Sequence, residues 1–160
     1  KAATEGVPYA DYVHCLNYTG FRPAELFDLT KERYDAERKC FVGGGKTEAG
    51  TDRIVTISPK IQPFVDALVA KAAPYIFPQS GGEKMEVEHF RKYCFNPLMI
   101  ALGIKGRVPY SCRHTFANLL KNVSGSDTDK AELMGHADAS MTKYYQSADY
   151  ESLRAITEKI

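Results

Sequence analysis

The sequence predicts an α+β domain, mainly α-helical, with one small three-stranded antiparallel sheet. Three observations carry that reading. Apolar residues recur at helical spacing almost without interruption after Ser58. Short β-branched and glycine-rich stretches are confined to the region between Glu32 and Ser58. The chain has 160 residues, a length that suits a single domain with a real core.

The elements follow in order. Pro8–Tyr18 carries Tyr9, Val13, Cys15 and Leu16 on a helical repeat, with Pro8 suited to a first turn and Thr19-Gly20 as its end. Pro23 opens a short second helix to about Leu29. Lys39–Val42 and Arg53–Ser58 read as strands, the second rich in β-branched residues, and a third strand is expected around Lys31–Tyr34. Lys60–Ala72 is an amphipathic helix broken by Pro74–Pro78. Glu86–Leu102 is another, with a kink or break expected at Pro97. Ser111–Asn122 follows Pro109, Asp127–Met134 ends at Gly135, Ser140–Tyr145 forms a short helix, and Tyr150–Ile160 the last one.

Composition narrows the function classes. Hydrophobic residues make up 44% and charged residues 26%, which excludes disorder, collagen and coiled coil. No run approaches the roughly 18 apolar residues of a membrane helix, and no charged-then-apolar signal segment opens the chain. The chain begins at Lys1 without an initiator Met, which reads as an excised fragment. A net charge of +1 neither demands nor forbids a nucleic-acid partner, so any such case must rest on local placement of charge. Cys15, Cys40, Cys94 and Cys112 form no Cys-x-x-Cys pair and read as small core residues in a reducing cytoplasm.

Four segments concentrate unusual polar residues. Thr19-Gly20-Phe21-Arg22-Pro23-Ala24-Glu25 sets an Arg at a loop-to-helix junction with an acid three residues on. Gly45-Lys46-Thr47 sets a Lys on a glycine-rich hairpin. Tyr110-Ser111-Cys112-Arg113-His114 opens a helix. Leu133-Met134-Gly135-His136 is followed nine residues later by Tyr145. A phosphate-loop reading of Gly43–Thr47 fails, because Cys40 stands where the first Gly belongs and the segment leads into a strand.

In that order the segments resemble the catalytic domain of the tyrosine recombinases, the phage-integrase family. The resemblance runs from the Arg22 segment to Tyr145, and is especially close at Arg113-His114-Thr115-Phe116-Ala117. It implies Arg22 and Arg113 as the two phosphate-binding arginines, Lys46 as the hairpin lysine, His136 as the histidine of Leu-x-Gly-His, and Tyr145 as the nucleophile. Tyr145 is preferred to its neighbour Tyr144 by its spacing to His136. Tyr110 replaces the histidine the family usually has three residues before its second Arg; it can donate a hydrogen bond to a phosphate but carries no positive charge. Glu25 and His114 take supporting roles.

The residue types suit the chemistry so implied. A Tyr hydroxyl attacking phosphorus stores the broken bond as a phosphotyrosyl ester. Two guanidiniums, always charged and bidentate, match the anionic oxygens. A lysine can protonate the leaving 5′ oxygen. The resemblance therefore implies a site-specific recombinase or integrase working through a 3′-phosphotyrosyl intermediate without metal, cofactor or ATP. A type IB topoisomerase-like enzyme and a catalytically weak DNA-binding module are the alternatives. The implied partners are double-stranded DNA and further copies of the chain, monomeric off DNA and tetrameric on paired sites, with no membrane. The implied source is a bacterial prophage or conjugative transposon, with the protein cytoplasmic at the nucleoid. Residues 1–160 are expected to be one catalytic domain, without the family's N-terminal DNA-clamping core-binding domain. The apolar stripe of Leu153, Ile156 and Ile160 is expected to pack on a neighbouring protomer.

Overall fold

The computed structural model describes residues 1–43, 53–135 and 150–160. Helix α1 (Ala10–Thr19) begins after Tyr9 rather than at Pro8, and stops at Gly20, whose φ of +65° turns the chain into the left-handed region. Helix α2 (Pro23–Phe27) starts on its proline, whose missing N–H is no loss in a first turn.

The expected strand at 31–34 forms one step later. Lys31–Arg33 is a 3₁₀ turn and β1 is Tyr34–Asp35. Its pairing is fixed by β2 (Cys40–Val42): Tyr34 lies opposite Phe41 and Asp35 opposite Cys40. Strand β3 (Ile54–Thr56) pairs antiparallel with β2, Phe41 opposite Val55, giving the order β1-β2-β3.

Helix α3 is Gln62–Lys71. The next helical stretch runs without a break from α4 (Val87–His89) through a π-helical segment (Phe90–Phe95) to α5 (Asn96–Ala101). Pro97 cannot donate to the Tyr93 carbonyl one turn back. Widening to i→i−5 bonds, such as Asn96 N–H to the Arg91 carbonyl, absorbs that loss inside the helix. Helix α6 is Ser111–Lys121 and α7 is Asp127–Met134, the latter capped by the Ser126 hydroxyl on the Asp129 N–H at 3.0 Å. The expected helix at Ser140–Tyr145 lies outside the described residues.

Two apolar clusters hold these elements. The larger joins Phe21, Phe27, Phe41, Phe77 and Phe90 with α1, the sheet and α3. The smaller joins Phe116 and Leu120 of α6, Leu133 of α7, and Leu153, Ile156 and Ile160. The last three belong to α8 (Tyr150–Thr157) and its end. The apolar stripe thus covers the chain's own core, correcting the expectation that it packs on a neighbour. Polar contacts fix it there: Thr157 donates to the Thr56 hydroxyl at 2.9 Å, and the Ser58 hydroxyl donates to the Ile160 carbonyl at 3.1 Å. All four cysteines are buried and free. Among the described residues, no helix is long and apolar enough to cross a membrane.

Candidate functional site

The glycine at the end of α1 lets two distant segments meet. Gly20 packs against Phe116 of α6, and the chain then reaches Arg22, the residue before α2, with an extended φ of −66° and ψ of 147°. Glu25, three residues on, reaches back to accept the Arg22 backbone N–H at 2.9 Å, the reciprocal arm of a capping box. Its other oxygen accepts Arg22 Nη1 at 2.6 Å. That bond holds the Arg22 guanidinium above its ordinary pKa. Arg22 remains 45% exposed while Glu25 is 5% exposed, so a buried anion aims a cation at solvent.

Arg113 enters from the first turn of α6 and is buried. Its Nη1 donates to the Gly20 carbonyl at 2.5 Å and its Nη2 to the Met134 carbonyl. Burial first, and the nearby charge of Arg22 second, push its pKa below the usual guanidinium value. Tyr110, one turn earlier and 44% exposed, sets its hydroxyl beside both Arg22 and Arg113. Its ring meets His114 edge to face at 5.5 Å. His114 is exposed on the same helix.

A third arginine completes the cluster. Arg53 immediately precedes β3 and is only 3% exposed. Its Nη2 approaches Glu25 at 3.4 Å, its Nη1 the Met134 carbonyl at 3.4 Å, and its guanidinium lies over the Phe21 ring at 4.7 Å. Burial lowers its pKa to about 10, against the pull of Glu25 and with the repulsion of Arg113 and Arg22. It is therefore still a cation at neutral pH. In the sequence Arg53 is visible only as the polar start of a strand, and nothing local signals its burial.

The structure thus brings Arg22, Glu25, Tyr110 and Arg113 together, with His114 at the edge and Arg53 beneath. Lys46, His136 and Tyr145 lie outside the described residues. In the chain, Lys46 falls between β2 and Arg53, and His136 directly follows Gly135. Three cations around one carboxylate leave a surplus of positive charge facing solvent through Arg22, an arrangement that favours an anion such as a phosphodiester. No group of three or more His, Cys, Asp and Glu side chains that could hold a metal occurs among the described residues.

The sequence profile of the Phage integrase family matches residues 1–152. Tyrosine recombinase XerD of Vibrio cholerae is 25% identical over 151 residues, covering 88% of this chain and 49% of that protein. Tyrosine recombinase XerA of Pyrococcus horikoshii is 28% identical over 152 residues, covering 88% and 50%. The chain spans about half the length of the curated relatives it matches. Among solved structures, a XerA recombinase crystal structure superposes with a TM-score of 0.72 at 24% identity over 97% of this chain and 58% of that one. The Tn1549 transposon integrase, solved in complex with a circular intermediate DNA, gives 0.70 at 22% identity over 92% and 57%.

Proposed function

The chain belongs to the phage integrase family, and from that premise we propose that it is the catalytic domain of a site-specific tyrosine recombinase, breaking and rejoining DNA strands by transesterification. The observation that carries the reading is the assembly of Arg22, Arg113 and Tyr110 around the buried Glu25, from two segments far apart in the chain, within the matched region. The curated relatives are named as recombinases, which favours strand exchange over the topoisomerase alternative.

In this reading a phosphodiester of double-stranded DNA docks against Arg22 and Arg113, with Tyr110 and His136 donating hydrogen bonds to its non-bridging oxygens. The Tyr145 hydroxyl gives its proton to water and attacks phosphorus. A phosphorus–oxygen bond forms to tyrosine, the bond to the 5′ oxygen breaks, and Lys46 supplies the proton that oxygen takes. The 5′ hydroxyl of a second strand reverses the step and releases the tyrosine. His114 steadies Tyr110 through the ring contact. The chemistry calls on no cofactor.

We read residues 1–160 as the catalytic domain alone, one part of a longer recombinase that also carries a DNA-clamping domain. The half-length coverage of the relatives supports this. The chains assemble as a tetramer on two paired sites and act at the nucleoid of a bacterial cytoplasm. The transposon-integrase neighbours are in keeping with a mobile-element origin.

Nicked suicide duplexes that lose the short 5′-hydroxyl strand on cleavage test the reading. Wild type should accumulate a covalent protein–DNA adduct, mapped by mass spectrometry to Tyr145, and Tyr145→Phe none. An adduct on Tyr144, or none with any family-type site, overturns the assignment.

A further inference from the structure

Arg53 is a buried cation with no route to solvent and no assigned part in the chemistry. Its contacts are unusual in what they join. One nitrogen reaches the carboxylate that holds Arg22, and another reaches the carbonyl of Met134, the residue that ends α7 two positions before His136. Arg113 donates to that same carbonyl. Arg53 itself immediately precedes the strand that follows the stretch containing Lys46. One side chain, held at the start of β3, therefore bears on both the Arg22 turn and the end of α7.

The surroundings are shaped for it. Gly135 has φ +60°, and a Cβ there would lie 1.7 Å from Arg53 Nη1, so this position must be bare for the guanidinium to fit. The Phe21 ring covers one guanidinium face. Burying an arginine is costly, and an apolar residue would fill a strand start more cheaply. A structural peg needs no charge; a bridge between a carboxylate and a helix-end carbonyl does.

We infer that Arg53 is a positioning residue for strand cleavage, bridging Glu25 and the end of α7 so that the Arg22 turn and the end of α7 keep one spacing. Its part is played through Glu25 and the Met134 carbonyl. The inference rests on the recombinase reading. Its planar fork is what makes the bridge, since lysine offers one point of charge and can serve one partner at a time.

The test uses full-length recombinase on nicked suicide duplexes, with DNA affinity, single-turnover cleavage rate and melting temperature measured for each protein. Arg53→Met should cleave on the order of 10- to 100-fold more slowly, the scale of a small misplacement of reacting groups, with affinity within about 2-fold of wild type. Arg53→Lys should keep the charge and the fold yet recover only part of the rate. The defects of Arg53→Met and Glu25→Gln should not add, because the two residues act through one bridge. If Arg53→Met does not fold, Arg53→Lys decides: slowed cleavage at unchanged affinity supports the role. Wild-type cleavage by folded Arg53→Lys or Arg53→Met overturns it, as do additive defects with Glu25→Gln. A wild-type protein that forms no adduct removes the recombinase reading itself, and the positioning role with it; an intact adduct in wild type with unaffected Arg53 variants removes the positioning role alone.

Discussion

Gly20 and Phe116 touch at a point where no side chain fits between them: a Cβ on Gly20 would lie 2.2 Å from Phe116 Cδ1. That contact closes the loop bearing Arg22 against the helix bearing Arg113. Gly20→Ala therefore meets both a left-handed backbone and an occupied volume. The expected loss is roughly 2–4 kcal/mol, the sum of left-handed strain and overpacking. Denaturant titration should show it as a lower midpoint with an unchanged slope. A loss below about 0.5 kcal/mol would mean that the ring moves aside freely.

The two site arginines should fail differently. Arg22 is half exposed and its main partner is Glu25. Arg22→Ala should slow cleavage by on the order of 10²-fold or more, the scale for one preorganised donor, with little change in melting temperature. Arg113 also satisfies the carbonyls of Gly20 and Met134. Arg113→Ala should lose cleavage to a similar or greater degree and lower the melting temperature as well. Single-turnover cleavage beside a thermal melt separates the two. Equal melting losses would show that Arg113 is not the deeper anchor.

Lys46 is tested through the leaving group. A 5′-bridging sulfur departs without protonation, so Lys46→Ala should be largely rescued on that substrate and Arg113→Ala should not. Equal defects of Lys46→Ala on the sulfur and oxygen substrates would remove the general-acid role.

The tail predicts a stability effect rather than an assembly effect. Ile156 is 2% exposed in the cluster with Phe116 and Leu133. Ile156→Ala should cost about 2–5 kcal/mol, as large-to-small changes in a core do. Deleting 150–160 should uncover the cluster and leave a protein that melts early or aggregates. Calorimetry of the two variants checks this. A truncated chain with wild-type melting would show that the cluster closes without α8.

His14 should make the fold acid-sensitive. It is wedged between the rings of Tyr18 and Phe64, and burial, with Lys60 assisting, lowers its pKa from 6.5. The unfolded chain therefore takes up the proton first as pH falls. Stability should decline from about pH 6.5 down to the folded-state pKa, and stay level above neutrality. His14→Phe keeps the ring packing and removes the titration. Its stability relative to wild type should rise between pH 7 and pH 5. Parallel profiles for the two proteins would exclude His14 as the titrating group.

Local signals carried most of the fold. Gly20 and Gly135 ended helices, Pro23 began one, and the Arg53–Ile57 run made a strand, because each depends on a residue's own backbone preferences. The register of β1 was not legible, since it is Phe41 on the partner strand that selects Tyr34. Pro97 was legible as a disturbance, but whether it kinks or widens a helix depends on what packs around it. The amphipathic stripe of the tail was legible as well, yet a stripe does not say whose core it covers. In the site, Arg22, Glu25, Tyr110 and Arg113 stood out by their order along the chain. Arg53 did not, because its burial is made by Phe21, Glu25 and Gly135, each remote from it in sequence.

The carbonyl partners of Arg113 make part of this site indifferent to side-chain identity. A main-chain oxygen is offered by every amino acid, so the arginine's hold at 134 does not depend on that residue's side chain, which packs instead on the Phe116 and Leu133 cluster. Position 135 has no such latitude, since any Cβ there strikes Arg53. The fit at this corner of the molecule therefore rests on backbone shape and a single missing methyl group rather than on a matched pair of side chains.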